Sequence, residues 1–575
     1  MTKRALAVFI WLAVTSAVPQ LAEGQEADRP SHFDLVITGG RVIDGTGNPW
    51  FYADVGISDG VIAVVGRLTG ADATRRIDAR GKVVVPGFID LHSHSSGALS
   101  SEDPRRRAAL NLVSQGVTTV VLNPDGFSRR MPIARHRSQL QELNFAPNVV
   151  LLVGHNTVRR RVMGDDARRP ATPAEVAEMR SLVRRGMEDG ALGLSAGLEY
   201  PPGIWSTTDE LVALAEEVVP FGGIYIAHER SAGDPMWYWP SQYDSAPPTL
   251  LDATRETIEI AERTGIRAVT THIKVRGGRY WGSSGAVIQL IERARARGVE
   301  IWADQYPYNS TGSDGRVVLI PPWALGGPPR RGGGEEAERD YATSLRRTLD
   351  DPEAATGVRL DIAFEMERRG TAENIVVFEY PDSTYIGKSL AQVAADLGTT
   401  PVEVAIKLQL EGFRERPGGA RLRGFSISEY DIEAYAARPW VATASDAGAS
   451  LPGRGSRHPR GYGTFPRKIR WYAMERGVLS IEDAIRSASS LPAQILGLRN
   501  RGLVREGFAG DIAVLDLARL RDRATFFEPH QYADGVEYVL VNGQPVVDGG
   551  RLTGALPGQV ISREASRKSR AEVRK

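Results

Sequence analysis

The sequence contains no cysteine. Disulfides, thiolate metal ligands, a cysteine nucleophile and a lipid anchor on a cysteine are therefore all excluded. Charge of one sign is missing too. Lys and Arg number 71 against 70 Asp and Glu, a net charge of +1, so nothing in the balance calls for nucleic acid as a partner. Beyond the first two dozen residues no apolar run is long enough to span a bilayer. The basic end, residues 562–575, reads as a solvated tail. What remains is ordinary globular composition, 42% apolar and 25% charged. At 575 residues the chain is too long for one ordinary compact domain, unless that domain is a barrel with insertions.

Residues 1–22 have the pattern of a signal peptide. Lys3 and Arg4 precede a short apolar run over 5–14, small residues follow at Thr15, Ser16 and Ala17, and the chain turns polar at Glu23. The expectation is an exported protein, periplasmic or secreted, cleaved between residues 17 and 27 and without membrane attachment afterwards. An uncleaved N-terminal anchor is the alternative.

Two stretches share a β texture. In 33–85, short apolar strands at 34–38, 42–43, 54–58 and 61–65 are separated by Gly39-Gly40, Asp44-Gly45 and Asp59-Gly60 turns. In 503–560, strands at 511–515 and 536–541 lead to an Asn542-Gly543 hairpin signal. The two are expected to pair into one small β-sandwich domain, with residues 86–500 inserted between them. That middle alternates apolar strands with helical periods (173–188, 209–218, 252–263 and 286–297), the rhythm of βα units. Eight strands are expected, at 82–90, 117–122, 149–153, 192–196, 223–227, 268–271, 300–303 and 441–445, giving an α/β fold with a (β/α)8 barrel. The seventh and eighth strands lie far apart. Residues from about 312 to 415 read as an insertion between them, a candidate lid.

Seven of the eight strands end near His or Asp: His92 and His94, Asp125, His155, His228, His272, Asp304 and Asp446. Barrel active sites form at the C-terminal strand ends. His92 and His94, two apart on an extended segment, point to one face. With His228, His272 and Asp446 they offer the imidazole and carboxylate donors that suit zinc. Each histidine alone would read as a satisfied core residue; the set at strand ends reads as a metal site. His32, His136 and His530 have no such context and read as surface or packing residues.

Residues 87–94 (GFIDLHSH) resemble the opening metal motif of the amidohydrolase superfamily. Residues 116–128 (GVTTVVLNPDGFS), 193–203 (GLSAGLEYPPG), 272–274 (HIK), 304–308 (DQYPY), 445–446 (SD) and 458–466 (HPRGYGTFP) resemble its N-acyl-D-amino-acid deacylase branch. The resemblance runs from about residue 33 to about 550. It implies one metal position at His92, His94 and Asp446 and a second, usually tighter one at His228 and His272, hence one or two zinc ions. Where many relatives carry a metal-binding cysteine, this chain has Asp125, which either takes the ligand role or only forms a turn. The fourth strand (GLSAG) lacks the lysine that carries the bridging carbamate in hydantoinases.

The resemblance further implies that Lys274, Arg460 and Tyr306 hold a substrate carboxylate, and that Asp446 serves as general base and acid. His155 is a candidate for a supporting or transition-state contact. The expected reaction is hydrolysis of a linear amide in N-acyl-D-amino acids, small molecules with a free carboxylate. A dipeptidase acting on a C-terminal D-residue and a cyclic-amide hydrolase are the alternatives within enzymes. A metal- or ligand-binding protein on an inactive barrel is the alternative outside them. The sequence leaves the oligomeric state open.

Overall fold

A computed structural model describes residues 30–233, 248–312, 317–326, 340–453 and 458–562. The signal-peptide reading at 1–22 and the basic tail beyond 562 fall outside these residues.

The eight barrel strands are β1 (Phe88–Asp90), β2 (Val117–Leu122), β3 (Asn148–Leu151, continued as Val153–Gly154), β4 (Gly193–Gly197), β5 (Ile224–His228), β6 (Arg267–Thr270), β7 (Ile301–Gln305) and β8 (Val441–Thr443). They pair in parallel in chain order. Their residues are almost all buried, which is why they read as continuous apolar runs rather than alternating ones. Each Val, Leu or Ile taken fully out of water adds roughly 1.5–3 kcal/mol. The helix Pro173–Glu188 spans the residues expected of it and begins with a reciprocal Thr172–Glu175 capping box.

β8 and β1 share no regular ladder. The barrel closes there by the Asp446 N–H donating to the His92 carbonyl at 3.1 Å and the His94 N–H to the Ala447 carbonyl at 2.9 Å. The buried Asp90 carboxylate bridges the same seam, accepting from the Ser445 N–H at 2.8 Å and the Ser445 hydroxyl.

The first expected strand, 82–90, is in fact two. Val83–Pro86 belongs to the small domain, whereas Phe88–Asp90 opens the barrel. Gly87 makes the switch, because a Cβ there would lie 2.3 Å from the Thr118 side chain. The strands expected at 34–38 and 42–43 are likewise one continuous strand, His32–Val42, with a bulge. Val83–Pro86 pairs with it on one side and with Ile512–Leu515 on the other. Both ends of the chain thus enter one nine-stranded sheet. The sheet wraps a core of Leu35, Ile37, Val55, Ile57, Val84, Ile512, Val514 and Leu540.

Between β7 and β8 the chain forms a lobe rather than an open loop. Among the described residues it includes the helices Tyr341–Leu349, Pro352–Arg368, Leu390–Leu397 and Pro401–Glu411 and the antiparallel pair Ile375–Glu379 and Arg421–Gly424. They enclose a separate apolar core that includes Leu345, Val358, Ile362, Val377, Val404 and Leu422.

Candidate metal centre

Six side chains converge at the C-terminal mouth of the barrel. His92 and His94 follow β1, Asp125 follows β2, His228 ends β5, His272 follows β6 and Asp446 follows β8. Asp125, His272 and Asp446 adopt positive φ (53°, 40° and 48°), a region uncommon for non-glycine residues. The Asp125 turn is held against β4, where Gly197 lies so close that a Cβ would sit 2.2 Å from the Asp125 carbonyl oxygen.

Asp125 lies between two groups of donors. Its Oδ1 is 3.5 Å from His92 Nε2, 3.5 Å from His228 Nδ1 and 3.7 Å from His272 Nε2, and its Oδ2 is 3.5 Å from His94 Nε2. Asp446 Oδ1 is 3.0 Å from His94 Nε2 and 3.4 Å from His92 Nε2. The sets His92–His94–Asp125, His92–His272–Asp446 and Asp125–His228–His272 each place their donor atoms within 4.8 Å of one another.

The donor chemistry fits cations. Asp125 Oδ1 is buried and accepts no hydrogen bond, an arrangement that is expensive unless a positive charge is close. Burial opposes the ionised form of Asp125, but His92 and His228 overcome it and hold the carboxyl well below its ordinary range. Burial, reinforced by Lys274 and His228, keeps His272 neutral, the form in which imidazole binds metal.

Two ligands are held from behind. His92 Nδ1 lies 2.6 Å from Thr271 Oγ1, which donates to Asp304 Oδ2 at 2.7 Å. Since the threonine proton goes to Asp304, His92 Nδ1 is the donor to Thr271, so that in the neutral, metal-binding form of the ring it is Nε2 that has the lone pair and faces the cluster. Asp304 also accepts from the His272 N–H at 2.6 Å. His228 turns Nδ1 inward while Nε2 donates to Glu199 at 3.0 Å.

Arg460 is buried beside Asp446, with Nη1 2.7 Å from Oδ2. That N–H is not aligned on the carboxylate, and Nε has no partner, so the guanidinium keeps donors for another anion. Burial disfavours the Asp446 carboxylate, yet the Arg460 guanidinium beside it and the hydrogen bond with His94 hold it well below its ordinary range. Tyr306 has two cations near its ring: Arg460 Cζ is 4.6 Å and Lys274 Nζ 5.9 Å from the ring centre. The Lys274 amine contacts His272 Nδ1 at 2.8 Å, and burial pulls its pKa down to about 8. All nine residues singled out for the site thus stand together.

His155 stands apart. It is the first residue of the helix His155–Met163 and joins Glu210 at 2.8 Å, an acid that also pairs with Arg159. That bond ties two helices together, and it joins His155 to none of the nine site residues. Glu199 is not among the expected residues because β4 was the one strand with no His or Asp at its end. A carboxylate two residues past Gly197 was the available signal.

The model of the amidohydrolase family matches residues 75–217 and 338–547. D-aminoacylase from Alcaligenes xylosoxydans xylosoxydans is 32% identical over 556 residues, which are 93% of this chain and 98% of that protein. The chain belongs to the amidohydrolase family. Among solved structures of the family, a D-aminoacylase with a binuclear metal centre is 29% identical, with a TM-score of 0.69 over 92% of this chain and all of its own. An N-acyl-D-glutamate deacylase from Bordetella bronchiseptica, complexed with zinc and a phosphonate mimic of the tetrahedral intermediate, is 28% identical. It has the same TM-score and the same coverage of both chains.

Proposed function

We propose that this amidohydrolase is an exported, zinc-dependent deacylase that hydrolyses N-acyl-D-amino acids to a carboxylate and a free D-amino acid. The observation that carries the reading is the convergence of four histidines and Asp446 around the unpartnered, buried Asp125 Oδ1, next to the spare donors of Arg460. His92, His94 and Asp446 would hold one zinc ion, His228 and His272 the other, and Asp125 would lie between them. Zinc in such a donor set supplies a Lewis acid and lowers the pKa of water from 15.7 to about 7.

The chain's own groups do the rest. Asp446 accepts the proton of the attacking water on its carboxylate and delivers it to the leaving nitrogen, so that the C–N bond breaks to a neutral amine. Arg460, close to Asp446 Oδ2, keeps that carboxylate ionised before the transfer. Arg460 and Lys274, both near the Tyr306 ring, clamp the substrate's carboxylate. A fixed carboxylate, a fixed scissile carbonyl and a side-chain pocket make three points, enough to separate enantiomers through kcat/KM.

The test is hydrolysis of matched N-acyl-D-amino acids, their L-forms and the corresponding neutral amides, by protein of known metal content. Preference for the D acids, lost after metal removal and restored by zinc, is expected. Full activity without metal, or equal turnover of acids and neutral amides, would overturn the reading.

A further inference from the structure

Behind His228 lies a buried ionic cluster that joins the inserted lobe to the metal centre. Glu199 Oε2 accepts from His228 Nε2 at 3.0 Å and from Arg276 Nη1 at 3.2 Å. Its Oε1 accepts from Arg276 Nη2 at 2.6 Å and from Arg368 Nη2 at 2.8 Å. Arg276 follows β6, whereas Arg368 is the last residue of the lobe helix Pro352–Arg368. Arg368 is 1% exposed and is also held by Glu365, one turn back at 3.1 Å. Glu365 is also reached by Arg369 at 2.7 Å, so each of the two buried carboxylates, Glu199 and Glu365, is paired with two guanidinium groups, which is what allows these charges to stay buried together.

The polarity of these bonds has a consequence at the metal centre. A carboxylate only accepts, so a neutral His228 carries its proton on Nε2 and leaves Nδ1, the atom that faces Asp125 and His272, unprotonated. Glu199 can hold His228 only if its own position is fixed. Its two oxygens are spanned by the Arg276 fork and drawn outward by Arg368.

We infer that Glu199 is a positioning residue that sets the tautomer and ring angle of His228, and that the inserted lobe completes the metal centre by contributing Arg368. The inference rests on the metal reading above and deepens it: one side chain of the lobe bears on a ligand through a single carboxylate.

The test measures metal binding by the full-length chain, without substrate. Zn2+ and Co2+ affinities are obtained by competition with a chromophoric chelator, and the visible absorption of the Co2+ form reports ligand geometry. Glu199→Gln is expected to weaken the tighter site on the order of 10–100-fold and to shift the Co2+ spectrum, with partial rescue by Glu199→Asp. Arg368→Met, which leaves the acceptor of His228 in place, is expected to move both readouts in the same direction by a smaller factor. Folded variants that melt earlier but keep wild-type affinity and spectrum would reduce the cluster to a structural role and overturn the inference. If Glu199→Gln does not fold, unchanged affinity and spectrum in Arg368→Met would overturn it equally. A wild-type chain that takes up no metal would overturn the functional proposal along with this one.

Discussion

The two halves of the metal centre are built differently. His228 and His272 stand on β5 and β6, which pair in register from Ile224–Arg267 to Ala227–Thr270. Both rings are buried, and the outer nitrogen of His228 donates to Glu199 while that of His272 faces the Lys274 amine; in the other half, among the described residues, only His92 is held in this way, by Thr271. His92, His94 and Asp446 stand across the seam where β8 meets β1, joined by isolated hydrogen bonds and the Asp90 carboxylate instead of a ladder. The His94 side chain is 39% exposed. A ladder sets the spacing of two ligands before any ion arrives; a seam leaves more of that ordering to be done on binding. The His228–His272 half should therefore bind metal more tightly, while the seam half, with Asp446, carries the proton transfer.

The largest effect is expected from Asp446→Asn. Loss of the general base should lower kcat about 10²–10⁴-fold. Metal should remain at the His228–His272 half, as read by steady-state kinetics and elemental analysis of the same preparation. If all metal leaves this variant, the halves form one cooperative site and the distinction breaks.

Staged chelation gives the next largest difference. Graded chelator should remove metal in two steps separated by on the order of 10–100 in affinity, if back-side support of the ligands accounts for the gap. His94→Ala should abolish the weaker step only. A single step in the wild type would show that ladder and seam order their ligands equally well.

The smallest effect comes from a residue outside both halves. Lys468 is buried, with a single hydrogen bond to the Ala436 carbonyl at 3.4 Å, and burial lowers its pKa to about 7. The unfolded chain holds this proton up to about pH 10. Folding therefore loses stability as pH falls from about 10 to 7, with no further loss below. Lys468→Met should stabilise the chain at pH 7 by about 1–3 kcal/mol, with the gain fading toward pH 10, as measured by denaturant unfolding. Both metal steps should be unchanged. A shift in either would mean that global stability, not local ligand support, sets the order of release.

The legibility of the site varied with how its residues are spaced along the chain. His92 and His94 could be paired because residues two apart on an extended segment share a face. His228 and His272 could be assigned to strand ends because parallel barrel strands are apolar runs that stop abruptly. Asp125 could be named as a candidate ligand by its place in the family motif, but the choice between ligand and turn former stayed open, since its distances to the two histidine pairs depend on how β2 lies relative to β5 and β6 across the mouth. Glu199 and Arg368 were beyond reach because 169 residues separate them. The break of residues 82–90 at Gly87 was hidden because both pieces are equally apolar.

The sequence alone determined the period of the barrel, the donor types available to a metal and the absence of thiolate among them, because these depend on composition and on neighbours a few residues apart. Tertiary structure alone decided which nitrogen of each histidine faces inward, which carboxylate lies between the pairs and which stands behind them. Those choices follow from hydrogen-bond polarity and from distances of about 3 Å between residues tens to hundreds of positions apart, and they exist only once the barrel has closed and the lobe has docked against it.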